Sequence, residues 1–123
     1  MTNANKLKGD RAERAVRDFL RGNGFPGTER TRAGYFRDAG DLHACPGITV
    51  QVKDRHAYAW PEWFRELDEQ KDEARADHAV LVVKRRGLGD PSQWLAVMPL
   101  DAMTQLLREA GYGTAPEAVR DDT

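Results

Sequence analysis

The sequence is poor in cysteine and in long apolar runs. Cys45 is the single cysteine among 123 residues, so an internal disulfide and a cysteine-rich zinc site are both excluded. No apolar run is long enough to span a bilayer, and residues 1–8 lack the apolar core of a secretory signal. We therefore expect a cytoplasmic protein that does not have a membrane as its partner.

Net charge is nearly absent as well, at −1, but the charges are unevenly placed. Residues 1–40 carry nine Lys and Arg against five Asp and Glu, whereas residues 61–80 carry three against seven. The basic residues within 1–40 and the run 84–86 can bind a polyanion such as DNA. From charge alone, ordinary solvated faces are at least as good an interpretation.

A composition of 40% hydrophobic and 32% charged residues is typical of a soluble, packed domain. The length allows one such domain, without room for a second catalytic unit beside it. We assign this single domain to residues 1–112 and expect residues 113–123 to form a polar, flexible tail.

Apolar spacing predicts an amphipathic first helix. Its apolar residues, three and four positions apart, are Ala12, Ala15, Val16, Phe19 and Leu20. Gly22 and Gly24 then end the helix. The following stretch 28–32 alternates weakly, as a strand would, and residues 33–40 have the composition of a loop.

A hairpin is predicted from two strand-like runs, 41–44 and 48–54, on either side of the turn-forming Cys45-Pro46-Gly47. Since side chains alternate along a strand, the second run has two different faces. The apolar face consists of Ile48, Val50 and Val52, and the polar face consists of Thr49, Gln51 and Lys53. The hairpin is the most informative segment of the chain.

Four further elements complete the predicted fold. Pro61 begins a helix that runs to about residue 76, and a continuous apolar run within 78–84 predicts a buried strand. A short strand at 94–98 and a closing helix at 100–110 follow. The order α-β-β-β-α-β-β-α predicts an α/β sandwich around a mixed sheet. The residues of the closing helix expected to face inward are Met103, Leu106 and Leu107.

Three polar residues of the hairpin converge by geometry. Asp41 starts one arm, and Gln51 and Lys53 lie two residues apart on the other, so the short turn brings them to one side. Carboxylate and amide oxygens suit Mg²⁺, with Mn²⁺ as a substitute. Lys53 can orient a water nucleophile or stabilise charge at phosphorus. Glu13, at the edge of the first helix's apolar stripe, can complete the outer shell of the metal.

Each of these residues also has an ordinary structural interpretation. Glu13 taken alone is better explained by a pair with Arg17 four residues later. The alternatives for the others are that Asp41 is a turn residue after glycine and that Gln51 and Lys53 simply face water. It is less plausible that all four residues are where they are for unrelated structural reasons than that they form one active site.

Three aromatic residues lie just beyond the hairpin. Tyr58, Trp60 and Trp63 can stack on nucleobases, but aromatics beside the start of a helix usually belong to a core or to a subunit interface. We favour the interface interpretation slightly.

Several stretches resemble the PD-(D/E)XK nucleases, and within them the archaeal-type Holliday junction resolvases with their phage and bacterial relatives. Asp41 matches the first motif aspartate, and Gln51-Val52-Lys53 matches the Glu-X-Lys strand. The other matching residues, within roughly residues 8–84, are Lys8-Gly9, Glu13-Arg14, Gly24-Phe25, Arg30 and Arg32.

The resemblance implies a restriction-endonuclease-like α/β sandwich with core order α-β-β-β-α-β plus a C-terminal strand and helix. It implies a Mg²⁺-dependent endonuclease that is selective for branched DNA such as four-way junctions and acts as a homodimer in a bacterial or phage-infected cytoplasm. The implied catalytic residues are Glu13, Asp41, Gln51 and Lys53, with Glu13, Asp41 and Gln51 at the metal. The implied DNA contacts are Lys8, Arg14, Arg30, Arg32 and Arg37.

Two departures from the family pattern leave other functions open. Gly40 occupies the place of the usual proline, and Gln51 replaces the usual glutamate, which removes one negative charge. A nuclease-like module that binds DNA or protein without cleavage is therefore the main alternative. A restriction or repair nuclease that acts on ordinary duplex is a further one.

Overall fold

The computed structural model describes residues 4–30 and 41–116, and of Asp41 it describes the backbone alone. Its helices are α1 (Ala4–Gly22), α2 (Trp60–Ala74) and α3 (Leu100–Glu109). Its strands are β1 (Glu29–Arg30), β2 (Asp41–Cys45), β3 (Ile48–Lys53), β4 (His78–Val83) and β5 (Leu95–Val97), with a 3-10 turn at Pro91–Gln93. The predicted order of helices and strands is confirmed.

The bounds of the elements differ slightly from the predicted ones. Residues 31–40, which include the end of the predicted first strand and the loop after it, lie outside the described residues, as do residues 117–123 of the predicted tail. α2 begins one residue before Pro61 and ends where Arg75 adopts a left-handed conformation, at a φ of 52°. Within 4–30 and 41–116, no helix is both long enough and apolar enough to cross a membrane.

The described strands form one mixed sheet in the order β1-β2-β3-β4-β5. Neighbouring strands are antiparallel except for β3 and β4, which are parallel. A parallel pair needs a crossover connection, and α2 supplies it. Because two strands lie on each side of β3, its side chains lie in the middle of the sheet whether they are apolar or polar.

The hairpin turn is tied to the start of β4. Gly47 has a φ of 91°, in the left-handed region that favours glycine. Its carbonyl accepts hydrogen bonds from the amides of Asp77 at 2.8 Å and His78 at 3.0 Å. A Cβ atom on Gly47 would lie 2.8 Å from Oδ2 of Asp77. The predicted turn residue therefore also fixes where the parallel pairing begins.

Two apolar layers cover the two faces of the sheet. α1 packs on one face, in a cluster that consists of Ala12, Val16, Leu42, Ala44, Val50, Val52 and Trp94. α2 packs on the other face, in a cluster that consists of Trp63, Leu67, Ala79, Leu81 and Val83. The structure is thus a sandwich of helices around a sheet, with the predicted apolar face of β3 turned toward α1.

Helix α3 departs from the predicted core. The expectation that its leucines face inward is wrong for Leu106 and Leu107, which are 38% and 42% exposed, and none of the residues in α3 is buried. Apolar spacing shows that a helix has an apolar face but does not show what covers it. A side-chain contact joins α3 to the sheet, since Oε1 of Glu109 lies 2.6 Å from Nε2 of His78.

Replacement of Leu81 tests the α2 layer. Leu81 is fully buried, so Leu81→Ala should lower the free energy of unfolding by about 2–5 kcal/mol. Leu100→Ala is the matched control, because Leu100 is 72% exposed, and it should change this free energy by less than about 0.5 kcal/mol. Urea unfolding measures both variants, and equal effects would contradict the packing described here.

The contact between His78 and Glu109 predicts a dependence of stability on pH. The hydrogen bond with His78, and next the one with Gln105, hold the pKa of Glu109 below its usual value of 4.5. Because the folded pKa is the lower one, this contribution to stability is complete above pH 4.5 and is lost as the pH falls through the folded value.

Glu109→Gln should therefore destabilise the protein near neutral pH and have a smaller effect in acid. Thermal unfolding, measured from neutral pH to below pH 4.5, gives the difference in melting temperature between Glu109→Gln and the wild type. Glu73→Gln, exposed on α2, is the control for the loss of one surface carboxylate. A difference between Glu109→Gln and the wild type that stays constant with pH would contradict the assignment.

Candidate functional site

The register of the hairpin positions the predicted site residues. Asp41 of β2 lies directly opposite Gln51 of β3, and directly opposed residues of an antiparallel pair belong to the same face of the sheet. Lys53 is two residues further along β3 and therefore belongs to that face too. Only the backbone of Asp41 is described, so its role as a metal ligand stays a prediction.

This face of β3 lies beneath α2. Gln51 is level with Leu81 of β4, and Leu81 belongs to the cluster that α2 covers. α2 thus covers an apolar strip on β4 and a polar strip on β3. We call the polar strip, with the α2 side chains beside it, the polar seam; its residues are Thr49, Gln51, Lys53, Glu66 and Gln70.

Gln51 lies at the centre of the polar seam. Its side chain is fully buried, and neither its amide oxygen nor its amide nitrogen has a hydrogen-bond partner among the described residues. A buried polar group without a partner costs about 1–3 kcal/mol. Groups of this kind in folded proteins call for an explanation, such as a bound water, an ion or a catalytic role. The Gln51 amide is therefore the strongest indication of a site in the described part of the chain.

Lys53 lies at one end of the polar seam and is held there by α2. Its Nζ atom is 3.1 Å from Oε1 of Glu66 and 5.7 Å from the centroid of the Trp63 ring. Its side chain is 14% exposed. An ammonium group held between an acid and a ring has a defined position. A residue that orients a nucleophile needs a defined position of this kind.

Glu66 is the residue of this site that the sequence interpretation missed. It lies three residues after Trp63 and four before Gln70, and both of these are buried. Residues at this spacing lie on one side of a helix, so helical periodicity could have identified Glu66 as a partner for the predicted Lys53. The charges of Glu66 and Lys53 cancel, and the described charges of the polar seam therefore sum to zero.

Glu13 lies in the layer on the other side of the sheet. It is 1% exposed and belongs to α1, which packs on the face opposite the polar seam. Its carboxylate forms an ion pair with the guanidinium group of Arg30, on the edge strand β1. The described contacts thus bring Glu13 together with Arg30. Its catalytic and metal-binding role stays a prediction that these contacts do not support.

The predicted DNA-binding residues differ in how available they are. Arg14 is exposed on α1, and the side chain of Lys8 is 42% exposed. Arg30 is 40% exposed but is engaged in an ion pair. Arg32 and Arg37 lie outside the described residues. Lys8 likewise pairs with Asp54, so among the predicted contacts that the structure describes, Arg14 is the one that is exposed and has no ion pair with a described residue.

Basic residues also gather where β3 and β4 end. The amide of Lys84 donates to the carbonyl of Lys53 at 3.0 Å, so a lysine lies at the carboxyl end of each parallel strand. Asp54 lies between two ammonium groups, 3.8 Å from that of Lys8 and 3.7 Å from that of Lys84. Ligands commonly bind at the carboxyl ends of parallel strands. We call this surface the basic end; its residues are Lys8, Lys84, Arg85 and Arg86.

The polar seam offers oxygen ligands for a divalent cation. Gln51 has an amide oxygen and Glu66 a carboxylate, and Asp41 lies at the register position opposite Gln51. Hard cations such as Mg²⁺ prefer this donor set. Among the described side chains, which do not include that of Asp41, no three His, Cys, Asp or Glu residues lie close enough to hold a metal ion. Since Lys53 neutralises Glu66, a cation here would depend on the charge of Asp41.

Comparison of the chain with models of known protein families, with curated proteins and with solved structures finds no match. The resemblance to the PD-(D/E)XK nucleases therefore rests on the residues quoted for it, and membership of that family stays a prediction.

Two substitutions of Gln51 test whether its amide lacks protein partners. Gln51→Met keeps the length and removes the amide, so the melting temperature should stay the same or rise, because an unpaired polar group is lost. Gln51→Glu places a carboxylate at a fully buried position and should lower the melting temperature in EDTA. A marked loss of stability in Gln51→Met would instead show that protein groups bind the amide.

Proposed function

We propose that the chain is a metal-dependent DNA endonuclease whose active site is the polar seam together with Asp41. One observation carries the proposal. A fully buried amide without partners among the described residues lies opposite Asp41 and two residues before Lys53. An acid, an amide and a lysine in this arrangement suit the hydrolysis of phosphodiesters. The mixed sheet between two helical layers supports a restriction-endonuclease-like fold.

Each residue has a defined part in the proposed reaction. Asp41 and Gln51 would hold Mg²⁺, or Mn²⁺ in its place, through oxygen atoms. When bound, the metal supplies Lewis-acid chemistry to the phosphate and acidifies a bound water. Lys53 donates hydrogen bonds to the attacking water and balances the negative charge that develops on the phosphate oxygens. Glu66 keeps the Lys53 ammonium group in place.

Basic residues would hold the DNA by its phosphates, without reading the bases. The basic end lies beside Lys53, and Arg14 extends it along α1 from Lys8. A homodimer would present two active sites to the matching strands of a four-way junction. Branched DNA is therefore the preferred substrate in this proposal. Ordinary duplex, as for a restriction or repair nuclease, is the alternative substrate.

A second candidate function is the binding of DNA or of a protein without cleavage. The complete burial of a neutral amide at the position of the family's glutamate favours it, since a divalent cation gains less from an amide than from a carboxylate. The ion pair of Lys53 with Glu66 suits both functions. Metal binding and cleavage therefore have to be measured separately.

Cleavage is tested on a labelled four-way junction, a matched duplex and a single strand, each with Mg²⁺ and with EDTA. The wild type should cut the junction only with Mg²⁺. Lys53→Ala should lower the rate about 100-fold or more, because it removes charge stabilisation in the transition state, and Asp41→Asn should abolish cutting. Lys71→Ala, at the far end of α2, is the control and should retain the rate. Equal cleavage by Asp41→Asn, Lys53→Ala and the wild type would overturn the site.

Metal binding is tested by thermal unfolding in increasing Mg²⁺ or Mn²⁺. A metal bound only by the folded protein stabilises it by about 2.7 kcal/mol at 100 times its dissociation constant. The melting temperature of the wild type should therefore rise with metal, that of Gln51→Glu should rise further, and that of Asp41→Asn should not change. A wild type that shows neither a shift nor cleavage would be a binding module instead.

A further inference from the structure

A series of aromatic contacts leads from Lys53 to the protein surface. The ring of Trp63 lies 5.7 Å from the Lys53 ammonium nitrogen. Ring centroids are 5.4 Å apart between Trp63 and Trp60, and 5.2 Å apart between Trp60 and Tyr58. Tyr58 is also 5.9 Å from Trp63. The three rings therefore form one connected group that begins at the candidate active site.

This group is anchored at one end and open at the other. Trp63 is 5% exposed and belongs to the cluster beneath α2, and Phe64 stacks on Trp60 with 21° between the ring planes. Trp60 is partly exposed, and Tyr58 is 49% exposed. Because the rings of Trp63 and Phe64 pack against Trp60, the exposed rings are already ordered before a ligand binds. Binding then costs little side-chain entropy. We call Tyr58 and Trp60 the aromatic platform.

Two arginines, Arg55 and Arg86, lie on or against the loop that leads to the aromatic platform. Arg55 and His56 precede Tyr58 on the same exposed loop. An Arg86 guanidinium nitrogen contacts the His56 ring, and this contact joins the loop to the basic end. Arg85 and Arg86 are both exposed. Exposed rings beside a row of cations are the combination with which proteins bind single-stranded nucleic acid, since the bases stack on the rings and the phosphates meet the cations.

We propose that the aromatic platform stacks on an unpaired nucleobase of a DNA strand whose phosphates lie along the basic end. The proposal rests on the proposed nuclease function and names the feature of the substrate that the site recognises. Bases inside a duplex already stack on both sides and offer no free ring. The aromatic platform therefore favours DNA that has an unpaired or unstacked base next to the phosphate to be cut, such as a junction, a flap or a single strand.

The charges near the aromatic platform favour base stacking over an interface between two copies of the chain. A two-fold interface centred on the aromatic platform would bring Arg55 and Arg86 of one copy close to the same arginines of the other. Like charges set against each other in an interface are unfavourable. A polyanion instead gains from every one of these cations. The surroundings of the rings thus fit a nucleic-acid strand better than a second copy.

The experiment measures binding in EDTA, without cleavage. The probe is a fluorescein-labelled oligothymidylate of about 12 nucleotides, within the range of single-strand site sizes, and anisotropy gives the dissociation constant. Tyr58→Ala should weaken binding about 5- to 100-fold, the effect of losing one base–aromatic stack, whereas Tyr58→Phe, which keeps the ring, should stay within about twofold of the wild type. Tyr112→Ala removes a tyrosine that is 68% exposed elsewhere and should not change binding.

The salt dependence separates stacking from charge. Tyr58→Ala removes no cation, so the slope of log Kd against log salt should equal that of the wild type. Arg86→Ala should lower this slope by about 0.7, the value for one phosphate contact to a single strand. Melting curves of each variant establish that it is folded, and Trp60→Phe serves as a second variant of the aromatic platform that keeps a ring.

Two results would overturn the proposal: no binding of the oligothymidylate by the wild type, or equal binding by Tyr58→Ala and the wild type. If Tyr58→Ala keeps its DNA affinity and also loses a dimer, the rings belong to a subunit interface. Binding is measured in EDTA and cleavage with Mg²⁺. The effect of Tyr58→Ala on binding can therefore be observed even if the wild type does not cleave DNA, and cleavage can be observed even if Tyr58→Ala binds as the wild type does. The two proposals are therefore tested independently.

Discussion

Burial of the polar face of β3 beneath α2 is the constraint on which the rest of the structure depends. β3 lies in the middle of the sheet, so its polar side chains reach solvent only at the strand ends. The Gln51 amide, which has no partner among the described side chains, costs about 1–3 kcal/mol, and the apolar contacts of Leu67 and Leu81 in the same interface offset this cost. One helix–sheet interface thus supplies both the stability of the fold and the candidate site.

Features that depend on local periodicity could be predicted from the sequence. The alternation of β3 identified Gln51 and Lys53 as neighbours on one face, and the glycine of the hairpin turn identified where the two arms meet. Period and turn chemistry are properties of a few consecutive residues, and tertiary packing alters them little when one face must be buried. The order of elements followed because the helices had apolar spacing, the hairpin had its turn and residues 78–84 had a continuous apolar run, although the stretch 28–32 alternated only weakly.

Features that depend on which surfaces meet could not be predicted in this way. Helical periodicity puts Glu66 on the side of α2 that carries the buried Trp63 and Gln70, but its pairing with Lys53 follows only from the packing of α2 on β3. Glu13 lies at the edge of an apolar stripe, and its sequence environment does not disclose that Arg30 of an edge strand reaches it. The exposed leucines of α3 have the spacing of core residues, and helical spacing alone contains no information about a covering partner.

The loops that follow β3 and β4 are linked although 30 residues separate them in the chain. The Lys84 amide extends the backbone ladder to Lys53, and Arg86 contacts His56 just beyond it. Surface loops usually tolerate insertions because lengthening them adds little chain entropy. Here an insertion in either loop would separate Arg86 from His56, and the two loops would lose the side-chain contact that joins them.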